Sequence, residues 1–92
     1  YRVLGWNFHH PLGEVDLIVR CGRRLIFVEV KFRADRDTGP YAVSPAQWGR
    51  ISAGASGFVA RDPHYAGFVW RFDLFVVGGT GRFRHNKNFW RP

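Results

Sequence analysis

Three ionisable residues sit inside two apolar runs of this 92-residue chain. Asp16 lies in Gly13-Glu14-Val15-Asp16-Leu17-Ile18, and Glu29 and Lys31 lie in Phe27-Val28-Glu29-Val30-Lys31-Phe32-Arg33. Two carboxylates at strand spacing suit the holding of a divalent cation. Mg²⁺ takes oxygen ligands and commonly uses one or two carboxylates together with water and substrate phosphate. Two carboxylates about 5 Å apart repel by roughly 3 kcal/mol at an effective dielectric of ~20, and structural sheets avoid directly opposed like charges. Lys31 relieves part of that repulsion, and a divalent cation would relieve more. On pattern alone, a hairpin with a solvated charged face competes with the metal site.

Whether the two acids meet depends on the strands that carry them. Residues 14–20 and 25–33 read as the second and third strands, joined by a turn around Cys21-Gly22. Side chains alternate across a strand. On the third strand Ile26, Val28, Val30 and Phe32 share one face, and Phe27, Glu29, Lys31 and Arg33 the other. On the second, Val15, Leu17 and Val19 oppose Glu14, Asp16 and Ile18. A two-residue turn at Cys21-Gly22 puts Asp16 opposite Phe27 and diagonal to Glu29. A four-residue turn over residues 21–24 puts it directly opposite Glu29. A three-residue turn separates the acids unless a bulge restores the register.

Around the hairpin, residues 1–8 read as a first strand with Gly5 at a bulge, and His9-His10-Pro11 turns the chain. Residues 34–43 carry the charges, glycine and proline of a loop. Ser44 is a helix N-cap with Pro45 at the first helical position. Trp48, Ile51, Ala55 and Phe58 form its core stripe, and the helix is predicted to end near Arg61, before Pro63. Gln47, Arg50, Gly54, Gly57 and Arg61 fall on another face, whose glycines admit a sheet or a phosphate backbone, the sheet being favoured. Residues 71–77 read as a fourth strand and 78–81 as a turn, followed by a basic, aromatic tail.

These landmarks carry a resemblance. GEVDLI, then FVEVKFR, then Ala42-Val43-Ser44-Pro45 and Arg71-Phe72-Asp73 resemble, in that order, the YraN-type uncharacterised family, and more distantly the PD-(D/E)XK nuclease core. The match covers nearly the whole chain. It implies an α/β fold with a restriction-endonuclease-like core, also seen in Holliday-junction resolvases: one nuclease-like domain over residues 1–92, with a mixed central sheet in strand-hairpin-helix-strand order. It implies a Mg²⁺- or Mn²⁺-dependent endonuclease-like protein acting on DNA, branched or repair intermediates included. In that reading Asp16 and Glu29 hold the metal and Lys31 orients or activates the attacking water. Phosphodiester hydrolysis needs an activated water and neutralisation of charge on the phosphoryl oxygens, and a bound metal does both. Gln47 stands where relatives usually carry a lysine; it can bond a water or phosphate but brings no charge. Relatives begin with a helix whose glutamate often completes the site. That helix is expected to be missing before Tyr1, so the chain should bind DNA while cutting weakly or not at all. The alternative is a non-cleaving nucleic-acid-binding module on the same scaffold, and a basic protein-interaction domain is a third reading.

Other residues receive structural readings. Glu14 is a strand-end surface acid in preference to a further ligand, and Asp73 a partner for buried backbone or arginine. His9, His10, His64 and His85 fit no zinc spacing and read as surface residues. Cys21 is a bystander in a turn. Arg33, Arg50, Arg82, Arg84 and Lys87 are the candidate nucleic-acid contacts. The last three, together with Arg91, are interleaved with Phe83, Phe89 and Trp90, although a packed basic tail competes. Trp6, Trp70 and Trp90 could stack on bases, whereas Trp48 belongs to the core.

Composition agrees with a polyanionic partner. Fourteen Lys and Arg against seven Asp and Glu give a net charge of +7, and nucleic acid is the commonest partner of such a balance. A hydrophobic content of 46% supports a folded core, and no apolar run approaches the ~18 residues that cross a bilayer. A single cysteine rules out an intrachain disulfide and fits a reducing cytoplasm. Association into a homodimer is left open.

Overall fold

The computed structural model describes residues 1–33 and 43–90. Nearly all of the predicted loop at 34–43, and Arg91, lie outside the described residues. Five strands and one helix follow in the order β1 (Arg2–His10), β2 (Gly13–Cys21), β3 (Arg24–Arg33), α1 (Pro45–Arg61), β4 (Val69–Gly78) and β5 (Phe83–Trp90), with a single 3-10 turn at Pro63–Tyr65 before β4. The sheet order is β1-β2-β3-β4-β5. β3 and β4 are parallel, joined by the α1 crossover, and every other neighbouring pair is antiparallel. The mixed α/β sheet matches the expectation. β5 is an addition, because its run Phe83-Arg84-His85-Asn86-Lys87 has the polarity of an edge strand and lacks an apolar alternation.

Helix α1 starts where the sequence places it. Ser44 Oγ accepts the Gln47 backbone N–H at 3.1 Å, and Gln47 Oε1 accepts the Ser44 N–H at 3.1 Å. This reciprocal pair satisfies two otherwise orphaned donors. Trp48, Ile51 and Ala55 bury against Val15, Ile18, Leu25, Phe27, Phe68 and Phe72, with Phe58 at the margin. Each large apolar side chain so buried contributes about 1.5–3 kcal/mol. Trp90 joins this layer, stacked on Trp48 with centroids 5.2 Å apart and planes 4° from parallel. Phe89 also meets Trp48, and Trp70 packs edge-on to Phe27. Trp70, Phe89 and Trp90 are therefore packing residues, while Trp6 is 70% exposed.

The other face of the sheet buries Val19, Ile26 and Val28, flanked by Leu17, Val30 and Phe75. The expected grouping of Val15 with Leu17 and Val19 is corrected here: Val15 and Ile18 both sit on the helix side. Three residues cannot separate two side chains on one face of a regular strand, so β2 changes face between them. Across the ladder, where Trp6 pairs with Leu17 and Phe8 with Val15, Asn7 adopts a φ of 50°. Asn88 does the same on β5 with a φ of 54°. The bulge foreseen at Gly5 is present, as a register shift between Val3 and Gly5.

Candidate active site

The turn settles the pairing of the acids. Cys21 pairs with Arg24 and closes β2, so the two turn residues are Gly22 and Arg23, and Cys21 is not in the turn. Gly22 has a φ of 61°, the conformation that two-residue hairpins reserve for glycine at the first central position. Regular pairing runs from there to Leu17 opposite Val28. That register is the one the second of the two arrangements requires, and Asp16 lies one residue beyond its last pair.

Beyond Leu17 the side chain of Asp16 takes over from the backbone ladder. Its Oδ2 accepts the Val30 N–H at 2.8 Å. Glu29 hydrogen-bonds Asp16, and its carboxyl is pushed up to about 8, first by burial and then by the bond and charge of Asp16; Lys31 pulls the other way. Lys31 Nζ lies 3.9 Å from Glu29 Oε2, with the two side chains only 23% and 12% exposed. Burial and the neighbouring Asp16 thus favour the protonated form of Glu29.

Helix α1 roofs the pair. Gly13 faces the Arg50 carbonyl so closely that a Cβ would overlap it, and a Cβ on Gly54 would crowd the Glu14 backbone at 3.1 Å. The glycine of the GEVD run and the glycine of the helix thus let backbone meet backbone. That contact brings Gln47 and Arg50, one turn apart, over the acids. Together with Glu14, Val30 and Ile51 they enclose a cleft of about 240 Å³. Arg50 Nε stands 3.8 Å from Glu14 Oε1, both side chains being half-exposed, which agrees with Glu14 as a surface acid.

Asp16, Glu29, Lys31, Gln47 and Arg50 are therefore together in one cleft. Among the described residues no group of three or more His, Cys, Asp or Glu side chains is arranged for a metal. The available donor set is the Asp16–Glu29 pair, whose hard oxygens fit a cation that makes up its coordination with water. The remaining cationic candidates lie elsewhere. Arg33 ends β3 beside a shallow groove of about 210 Å³ formed with Phe32, Val77, Gly78 and Gly79. Arg82 precedes β5, and Arg84 and Lys87 are exposed along it, with β4 between them and β3.

A second polar centre lies at Asp73, which is fully buried. Arg71 forks onto it through Nε and Nη2 at 2.8 and 2.9 Å, and the Asn88 N–H donates at 2.8 Å. His85 Nε2 bonds its second oxygen at 2.7 Å. Burial alone would raise the Asp73 carboxyl, but these partners hold it below the usual range. The structural reading of Asp73 is met. The surface reading of His85 is corrected, since its ring closes this centre from β5.

The profile of the uncharacterised protein family UPF0102 matches residues 1–77. A UPF0102 protein of Parvibaculum lavamentivorans is 39% identical over the whole chain, which covers 69% of that relative. One from Dinoroseobacter shibae is 53% identical over 89% of the chain and 61% of its own length. One from Rhodopseudomonas palustris strain BisB18 is 40% identical over 92% of the chain and 63% of its own length. The chain spans about two thirds of the length of the curated relatives it matches. On this profile match and these identities, the chain belongs to the uncharacterised protein family UPF0102, the YraN-type family that its motifs resemble.

Proposed function

We propose that this chain carries a restriction-endonuclease-like phosphodiesterase site that acts on DNA with Mg²⁺ or Mn²⁺. The observation that supports it is the hydrogen-bonded pair Asp16 and Glu29 with Lys31 beside it, under the Gln47–Arg50 turn of α1. A purely structural sheet gains nothing from two opposed, half-buried acids, whereas a phosphoryl-transfer site needs them.

Asp16 is held in place by the Val30 N–H, so its orientation does not depend on the ligand. Asp16 and Glu29 would hold the cation, Glu29 in its ionised form. A divalent cation supplies Lewis-acid activation of water and neutralises charge on the phosphoryl oxygens. Lys31 orients the attacking water by donating from Nζ, and its charge balances the ionised Glu29. Gln47 Oε1 is engaged by the Ser44 N–H, which leaves its amide NH₂ to donate to a phosphate oxygen. Arg50 brings the cationic charge that Gln47 lacks.

The test is Mn²⁺ calorimetry on the parent and on Asp16→Asn, followed by a cleavage panel of duplex, nicked, flapped and four-way DNA and of RNA. Binding should be lost in Asp16→Asn, and any cleavage should be abolished by Lys31→Met while binding of DNA survives. Equal Mn²⁺ affinity in parent and Asp16→Asn would sink the assignment. A non-cleaving nucleic-acid-binding module is the second reading, favoured by the donor set of only two carboxylates and by the engaged Gln47 Oε1. DNA binding with no cleavage of any substrate, also in a relative of full length, would select it.

A further inference from the structure

At the end of the hairpin remote from the acids, three arginines converge on one face. Arg2 and Arg20 are direct cross-strand partners in the β1–β2 ladder. Arg23 occupies the adjoining turn, between Cys21 and Arg24. Like charges directly opposite on a sheet are unfavourable. Among the described residues no Asp or Glu forms an ion pair with any of the three.

Two of them are held in place. Arg20 Nε donates to the Gly22 carbonyl at 2.9 Å, and its guanidinium carbon lies 4.8 Å from the Phe68 ring centroid. The Arg23 guanidinium lies 5.2 Å from the same centroid and close over Gly67, where a Cβ would meet it at 3.0 Å. The Arg23 carbonyl accepts the Val69 N–H at 2.9 Å, which fixes its backbone. Phe68 itself is buried. One ring thus organises two guanidiniums, and a third stands opposite one of them. A side chain already ordered loses less freedom on binding, and the guanidinium fork matches phosphate oxygens in two-point contacts.

We infer that Arg2, Arg20 and Arg23 form a phosphate-backbone contact surface for nucleic acid, separate from the carboxylate cleft. It shares with the proposed function only the class of partner, and it does not depend on cleavage. Arg20 lies four steps along β2 from Asp16, about 13 Å at the rise of a strand. The surface therefore sits within half a helical turn of duplex from the cleft. Contacts to phosphate oxygens carry no sequence information, so its contribution is independent of sequence and falls with salt.

Anisotropy of a fluorescein-labelled DNA duplex, titrated with the 92-residue chain over a salt series, tests it. The plot of log K against log salt should become shallower by about 0.9 in Arg2→Gln and by about 1.8 in Arg20→Gln/Arg23→Gln, with affinity at least several-fold weaker. Arg2 makes no contact with Phe68 in this arrangement, so its variant keeps the test valid if the double variant folds poorly. Mn²⁺ binding should be unchanged in Arg2→Gln, and the salt slope unchanged in Asp16→Asn, which separates this surface from the cleft. Unaltered slopes in both arginine variants, or no binding by the parent at low salt, would overturn it. So would binding to phosphatidylserine vesicles that Arg2→Gln abolishes while leaving the DNA slope intact.

Discussion

The Val30 backbone N–H donates to Asp16 Oδ2 at 2.8 Å, just past the point where regular β2–β3 pairing stops at Leu17 and Val28. One carboxylate thereby replaces a rung of the ladder and also hydrogen-bonds Glu29. Position and chemistry at this site are carried by the same group.

That dual use separates two substitutions. Asp16→Ala leaves the Val30 N–H without its acceptor and should cost about 1–3 kcal/mol. Asp16→Asn keeps an oxygen there and should cost less, while both lose Mn²⁺ binding. Urea denaturation beside calorimetry distinguishes them; equal destabilisation would show that the Val30 bond carries no weight.

Glu29 makes metal-free stability depend on pH. Its carboxyl is raised from 4.5 to about 8, so the folded chain holds a proton that the unfolded chain releases. The resulting stabilisation is complete below about 4.5 and is lost as pH rises through about 8, at up to about 1.4 kcal/mol per pH unit. In chelator the Tm should fall across this window, and Glu29→Gln should flatten the fall. Mn²⁺ affinity should rise over the same window as the competing proton leaves. A parent profile that matches Glu29→Gln would count against the raised Glu29 carboxyl.

Gly13→Ala probes the seating of the helix. The added methyl overlaps the Arg50 carbonyl and must push α1 off β2. A loss of about 1–3 kcal/mol is expected, read as a Tm lower by roughly 4–8 °C per kcal/mol in a domain of this size. An unchanged Tm would mean that the contact gives way freely.

The Asp73 centre should behave as an indivisible unit. Asp73→Ala leaves the Arg71 guanidinium uncompensated and should cost about 3–5 kcal/mol. The carboxyl is held below 3.8, so its ionic contribution is present above about pH 4 and is lost as pH falls below that. Denaturation of parent and Asp73→Ala at neutral and acid pH should therefore show a gap that narrows on acidification. A gap that stays constant would point to lost packing instead.

Much of the cleft was legible because a strand's two-residue period forces side-chain parity. Glu29 and Lys31 share a face whatever the turn, and only the register of Asp16 stayed open. It was decided by the backbone of Gly22, which placed the turn one residue later than Cys21-Gly22. The Ser44–Gln47 capping box is legible as Ser-x-x-Gln, and it ties Gln47 to the helix start as well as to the cleft. His85 could not be assigned from spacing, because it reaches Asp73 across twelve residues of chain and a strand pairing. Trp90 likewise reached Trp48 only because β5 formed, and an edge strand of mixed polarity leaves no periodic signature.

Both outer strands carry an asparagine in the left-handed region, Asn7 on β1 and Asn88 on β5. A residue so placed interrupts the regular run of the strand, and on β5 it turns the Asn88 N–H inward to Asp73. Each outer strand is thereby a less regular template for pairing with a further strand.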